Sequence, residues 1–201
     1  MIYALTKVVS AILFALLYRF RVYGRELVPE GAMVLVSNHQ SYLDPITVGL
    51  AMTRPVYFIA KEDLFRIPVF GWYIRQLNAF PIKRGAADRQ VVKTALKHLR
   101  RGRPVLIFPE GSRQHNDGLA DGFPGAAFIA YKAGVPLVPT AIKGTGDVRP
   151  PGARFPRFPR ISVAFGEPIT LDASIDKKRA INETTERLMS ELDSLLGKVT
   201  A

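Results

Sequence analysis

The chain has 201 residues, 48% of them hydrophobic, and 28 Lys or Arg against 17 Asp or Glu, for a net charge of +11. That apolar content suffices for one sizeable core, so a single folded unit is expected. The absence of cysteine excludes disulfides, thiolate metal sites and a cysteine nucleophile, and the scattered His39, His98 and His115 offer no close-spaced metal pair.

The charge is unevenly placed. Residues 1–103 hold 16 Lys or Arg against 6 Asp or Glu, a net of +10, whereas residues 104–201 hold 12 against 11. A basic half suits an anionic partner, whether nucleic acid, an anionic lipid surface or a phosphorylated substrate, and charge does not choose among these.

In residues 2–20 the only charges are Lys7 and Arg19, and residues 8–17 are strongly apolar. The run is of marginal length for a spanning helix. Tyr3, Thr6, Lys7 and Ser10 recur at helical spacing, and Tyr18 and Arg21 nearly continue the stripe. This pattern favours a helix lying in a membrane interface, with Arg19, Arg21 and Arg25 beside anionic head groups; burial in the core of the protein is the alternative. A secretory signal is disfavoured, since a basic leading region and an A-x-A-like site are missing. We therefore expect an N-terminal membrane-associated helix over residues 1–21 and one folded domain over residues 22–201.

After Val22-Tyr23-Gly24, the apolar residues 32–36 between Gly31 and Ser37 read as a buried strand. It runs into Ser37-Asn38-His39-Gln40-Ser41-Tyr42-Leu43-Asp44, and a helix over about 45–52 follows, with Asp44 suited to its N-cap and Pro45 to its first position. His39 thus sits on a loop at a strand end, within reach of Asp44. A histidine titrating near neutrality can take a proton from an alcohol, and an aspartate on its far nitrogen fixes the tautomer. Such a pair needs no protein nucleophile. On spacing alone, the two residues are also compatible with a helix cap and an ordinary loop histidine.

A second strand, 55–60, delivers Lys61. Residues 62–77 interleave aromatic and apolar residues with Arg66 and Arg75, and read as two short helices broken at Ile67-Pro68, suited equally to a core and to a membrane interface. A third strand, 79–82, ends in Lys83-Arg84-Gly85, where the cations suit either a phosphate or a solvated turn. Residues 87–101 form an amphipathic helix with Val91, Ala95 and Leu99 inward and His98 expected at the surface. The fourth strand, 104–108, runs into Pro109-Glu110-Gly111-Ser112-Arg113. If the sheet is largely parallel, His39, Lys61, Arg84 and Arg113 share its carboxyl edge, where open α/β sheets bind ligands. A helix over about 123–133, a strand over 136–142, a Pro/Arg/Gly-rich surface loop over 147–159, a strand over 161–165 and an amphipathic helix over 174–196 complete the chain. The expected fold is α/β, a single mixed, largely parallel sheet flanked by helices.

Four blocks, in order, resemble the glycerolipid acyltransferases of the 1-acylglycerol-3-phosphate acyltransferase type. They are Asn38-His39-Gln40-Ser41-Tyr42-Leu43-Asp44, Phe80-Pro81-Ile82-Lys83-Arg84, Phe108-Pro109-Glu110-Gly111-Ser112-Arg113, and Val138-Pro139-Thr140-Ala141-Ile142, within a similarity over about residues 22–170. The resemblance implies that His39, oriented by Asp44, deprotonates the 2-hydroxyl of a lysophosphatidate. The oxygen then attacks the thioester of an acyl-coenzyme A or acyl-carrier protein, giving phosphatidate. It also implies that Lys61, Arg84 and Arg113 hold the acceptor phosphate, that Glu110 and Gly111 belong to the acceptor-binding turn, and that no cofactor or metal is needed. The protein would work on a membrane phospholipid surface, at the cytoplasmic face of the cell membrane. Two positions depart from the family pattern: Asn78 stands where glycine is common, and Pro124 where a lysine often occurs. Both bear on acceptor preference.

Rival readings keep the chemistry with glycerol 3-phosphate or another lysolipid as acceptor, or drop it for a non-catalytic basic module on anionic membranes. A nucleic-acid partner is not expected, because no RNA-binding module is recognisable. Serine hydrolysis lacks a Gly-x-Ser-x-Gly turn.

Overall fold

The computed structural model describes residues 2–82, 87–109, 124–172 and 174–199. Its centre is β2 (Val34–Ser37), buried at every position. The other strands are β1 (Arg21–Tyr23), β3 (Tyr57–Lys61), β4 (Ala79–Ile82), β5 (Val105–Ile107), β6 (Leu137–Lys143) and β7 (Ser162–Phe165). They form one seven-stranded sheet in the order β1-β7-β6-β2-β5-β3-β4. β2 to β6 run parallel to one another, β7 is antiparallel to β6, and β1 is parallel to β7. The expected mixed, largely parallel sheet is what the chain forms.

Parallel strands covered on both faces read as continuous apolar runs, and alternate residues then choose the face. Met33 and Leu35 pack toward α2 (Asp44–Ala51), against Val48 and Ala51. Val34 and Val36 pack toward α5 (Ala87–Leu99), α6 (Gly125–Ala133) and α7 (Lys177–Lys198), through Ala95, Ala126 and Leu188. α7 begins later than its periodicity predicts because Asp176 caps it, accepting hydrogen bonds from the backbone N–H groups of Lys178 and Arg179.

α1 (Ile2–Tyr18) is amphipathic in the opposite sense from a helix on a water-bathed protein. Tyr3, Thr6, Lys7 and Ser10, the polar stripe, turn inward over Ile46, Gly49 and Leu50 of α2. The Lys7 ammonium donates to the Met52 carbonyl at 2.5 Å. Burial, with Arg25 nearby, pulls the Lys7 pKa down, and burial pushes that of Tyr3 up. Leu5, Val8, Ile12 and Leu16 point outward and are exposed, Leu16 by 75%. No helix among the described residues is long and apolar enough to cross a membrane.

The segment after β3 buries only part of its apolar side chains. Phe65 in α3 (Glu62–Arg66) and Ile74 in α4 (Phe70–Gln76) are buried, while Ile67, Val69, Phe70 and Trp72 are exposed. The helices are separated by a tight turn at Val69, at φ 63°, with the Phe70 N–H donating to Pro68 O at 2.6 Å. Tyr73 donates to Thr6 Oγ1 at 3.2 Å, joining this segment to α1. Asn78 has φ 66°, in the left-handed region that glycine and asparagine enter most readily. The departure from glycine here therefore preserves a backbone shape. We predict that Asn78→Gly leaves stability within about 0.5 kcal/mol, whereas Asn78→Val costs at least about 1 kcal/mol, measured by urea unfolding.

His98 is not a surface residue. Its ring is half-buried between Tyr57 and Phe80, at centroid distances of 4.4 and 5.3 Å, and its Nδ1 is buried with no hydrogen-bond partner among the described residues. Burial first, and then Arg103, Arg101 and Lys97, hold its pKa below the ordinary histidine value. In the window between that lowered pKa and about 6.5, the unfolded chain binds this proton more readily than the folded one. Stability therefore rises with pH across the window and is lost on acidification through it. Melting curves at pH 7.5 and pH 5.5 should show a lower Tm in acid, and His98→Phe should narrow the gap; an unchanged gap would exclude His98 as the cause.

Candidate active site

The chain must turn from β2 into α2 across the residues between Ser37 and Asp44, and side-chain hydrogen bonds define that turn. Asn38, 3% exposed, uses its amide twice: Nδ2 donates to Ile142 O and Oδ1 accepts from Ile142 N–H, each at 2.8 Å. The clasp ties the start of the turn to β6. The next residue is His39.

His39 Nδ1 lies 2.8 Å from Asp44 Oδ2, with the histidine side chain 19% exposed and the aspartate fully buried. The same oxygen accepts from the backbone N–H groups of Gln40 and Ser41, both at 2.7 Å. Asp44 is therefore not the N-cap of α2, contrary to expectation. It is the first helical residue, Leu43 occupies the cap, and the carboxylate reaches back over the preceding turn instead of binding the helix's own amides. Ser41 Oγ accepts from the Leu43 N–H at 3.3 Å, so this serine shapes the turn.

The ring of Phe108 stacks on His39, with centroids 4.0 Å apart and planes 18° apart. Imidazole position is thus fixed at one edge by Asp44 and on one face by Phe108. Since a carboxylate can only accept, Nδ1 carries the proton and Nε2 keeps a lone pair for a substrate. Asn38 and Phe108 stand inside the sequence blocks that resemble the acyltransferases, with no role legible from their own positions. Adjacency to His39 was the available signal for Asn38, but Phe108 reaches His39 only through the pairing of β5 with β2.

Lys61 ends β3 on the same carboxyl edge, separated from β2 by β5, and is exposed with no ion pair among the described residues. Arg84, Glu110, Gly111 and Arg113 lie outside the described residues. The strands that lead to them, β4 and β5, end on this edge. Behind Phe108, a cavity of about 940 Å³ runs between the sheet and the helices α5 to α7, lined mainly by apolar side chains including Ile59, Ile107, Phe128 and Ile129, with Lys177 and Lys178 on its margin. Among the described residues no three His, Asp or Glu side chains gather as metal ligands.

An open α/β sheet whose central strand leads to a histidine hydrogen-bonded to a buried aspartate carries, at its carboxyl edge, a pair whose chemistry suits proton abstraction. The family model described as Acyltransferase matches residues 19–143, and the chain belongs to that family. It is 38% identical over 140 residues to a chloroplastic 1-acyl-sn-glycerol-3-phosphate acyltransferase of Brassica napus, a match covering 68% of this chain and 40% of the relative. A Pseudomonas aeruginosa protein of the same name is 30% identical over 200 residues, covering 98% of this chain and 74% of that one. The crystal structure of the 1-acyl-sn-glycerophosphate acyltransferase PlsC from Thermotoga maritima superposes with a TM-score of 0.79 at 27% identity, covering 99% of this chain and 81% of that one. The chain spans less than half the length of the plant and algal relatives it matches.

Proposed function

We propose that the chain is a 1-acylglycerol-3-phosphate O-acyltransferase, moving a fatty acyl group from an acyl thioester to the acceptor's 2-hydroxyl to give phosphatidate. The observation that carries this reading is the His39–Asp44 pair, with Nδ1 committed to Asp44 and Nε2 left to receive a proton. The hydroxyl proton passes to Nε2 while the oxygen attacks the thioester carbonyl. The tetrahedral adduct expels the sulfur, and the thiolate takes the proton from the imidazolium. Asp44 stabilises the imidazolium between those steps. The acceptor phosphate is assigned to Lys61, Arg84 and Arg113, and the acceptor turn to Glu110 and Gly111. The apolar cavity behind Phe108 suits an acyl chain. The donor is an acyl-coenzyme A or acyl-carrier protein, and no other cofactor enters the scheme.

We place the protein on a membrane, at its cytoplasmic face. What supports this is α1, whose polar stripe faces the protein while Leu5, Val8, Ile12 and Leu16 are exposed. An apolar stripe of this extent is stable when lipid covers it. The exposed Val69, Phe70 and Trp72 join it through the Tyr73–Thr6 contact.

The test is thiol release from acyl-coenzyme A and from acyl-carrier protein by purified protein in detergent, with and without lysophosphatidate. Release that requires the acceptor supports transfer. Acceptor-independent release would make the protein a thioesterase, and preference for glycerol 3-phosphate or a phosphate-free lysolipid would reassign the acceptor.

A further inference from the structure

The loop between β6 and β7 is not absorbed by the proposed chemistry. Because β6 runs with β2 and β7 runs against β6, the loop emerges at the carboxyl edge that holds His39. Its start lies against the catalytic turn: a Cβ at Gly146 would sit 3.4 Å from Gln40 Cβ. Its two ends are drawn together at Gly144, where φ is +89° and a side chain would run into the Arg160 carbonyl. Residues 149–160 hold four arginines, Arg149, Arg154, Arg157 and Arg160, four prolines and no acidic residue.

The backbone of this loop is organised. Ala153 N–H donates to Pro150 O at 3.0 Å around Pro151 and Gly152, the latter at φ 81°, which is the residue pattern of a type II turn. Arg157 N–H donates to Val148 O at 2.7 Å, and Ile161 N–H to Tyr18 O at 2.9 Å. The last bond, with the Phe158–Tyr18 ring contact at 5.9 Å, fastens the loop to the end of α1. Against this frame Phe155 is 73% exposed and Phe158 58% exposed, with Arg149, Arg154 and Arg157 also exposed and in no ion pair among the described residues.

We propose that residues 149–160 form an anionic-lipid-binding loop, which seats Phe155 and Phe158 among the acyl chains and Arg149, Arg154 and Arg157 on the phosphates at the rim of the active-site edge. Aromatic rings with arginines beside them are the side chains that settle at a bilayer interface. The loop is fastened to the end of α1, the helix that bears the exposed apolar stripe, and a bilayer would cover both, whereas a nucleic acid would leave the stripe bare. Prolines limit the conformational freedom lost when the loop inserts. The site edge would thereby be held at head-group depth, beside a surface where anionic lipids concentrate. This inference rests on the membrane association proposed above and adds the loop's part in it.

The experiment is co-sedimentation with vesicles of phosphatidylcholine alone and of phosphatidylcholine with about one third phosphatidylglycerol. The proteins compared are the full chain, the Arg149→Gln/Arg154→Gln/Arg157→Gln variant and the Phe155→Ser/Phe158→Ser variant, with folding checked by circular dichroism. At about five-fold per arginine, the triple variant should lose about 10²-fold in affinity for the anionic vesicles and little for the neutral ones. The phenylalanine variant should weaken on both, and both variants should keep thiol release with a short-chain acceptor in detergent within about two-fold. If the full chain binds vesicles and both variants bind like it, the loop has no part in membrane binding and the association through α1 stands. If the full chain binds neither vesicle, the membrane reading fails and this inference with it. Oligouridine binding that needs the same side chains, without preference for anionic vesicles, would overturn it in favour of RNA.

Discussion

Replacing His39 with alanine is expected to lower acyl transfer by at least about 10²-fold, and by up to about 10⁴-fold, because among the described residues no other group is placed to accept the hydroxyl proton. Ser41 Oγ is engaged with the Leu43 N–H, and Asp44 Oδ2 accepts from the Gln40 and Ser41 N–H groups. The turn should persist, since Asn38 still clasps Ile142. His39→Gln is the companion variant: it retains a flat polar group beneath Phe108 and cannot act as a base. Thiol release dependent on lysophosphatidate should fall alike in both, with vesicle binding unchanged, because the exposed stripe of α1 is untouched. Turnover retained in folded alanine and glutamine variants would remove His39 as the base and return the chain to the non-catalytic binding reading.

The His39–Asp44 pair and the exposed stripe of α1 are related by the fold. α1 runs over α2, and α2 begins at Asp44, so the helix bearing the exposed apolar stripe rests on the helix that fixes the imidazole. Lys7 bonding Met52 ties α1 to the end of α2, and Tyr18, accepting from the Ile161 N–H, ties it to the residue that leads into β7. On the membrane placement proposed above, a lipid acceptor lying against α1 would reach the carboxyl edge without leaving the bilayer surface, and a soluble thioester would approach from the aqueous side.

Strands β2 to β7 were legible because each is a short, largely apolar run bounded by Gly, Pro, Ser or a charged residue, and the parallel sheet followed from helices placed between them; β1, Arg21-Val22-Tyr23, carries no such pattern and was not read as a strand. The pairing of His39 with Asp44 was legible from spacing. What Asp44 does there was not: its local sequence fits a helix cap equally well, and only the backbone path sends Oδ2 back to Gln40 and Ser41. The inward turn of Tyr3, Thr6, Lys7 and Ser10 was hidden for a different reason. Periodicity reports that a helix has two faces, and which of them meets the protein depends on the medium outside. His98 and Phe108 were misjudged or passed over because their partners, Tyr57 and Phe80 in one case and His39 in the other, come from distant strands.

Asp44→Asn should separate the two contributions of this carboxylate. All three donors converge on Oδ2, while Oδ1 is buried with no partner among the described residues. An asparagine oxygen placed at the Oδ2 position can therefore accept from His39 Nδ1, Gln40 and Ser41 as before, keeping both the turn and the tautomer. Lost is the negative charge facing the imidazolium, an attraction on the order of a few kcal/mol at this separation and exposure, so kcat should fall about 10²–10³-fold with KM changed little. The amide nitrogen takes the unpartnered position at a cost of about 1–3 kcal/mol, visible as a lowered Tm. Asp44→Ala removes charge and acceptor together. It strands the Gln40 and Ser41 N–H groups and should fall to the His39→Ala level with a larger loss of stability. The expected order of activity is wild type, then asparagine, then alanine. An asparagine variant as active as wild type would show that Asp44 only positions the ring, and one as inactive as alanine would show that the amide does not preserve the tautomer.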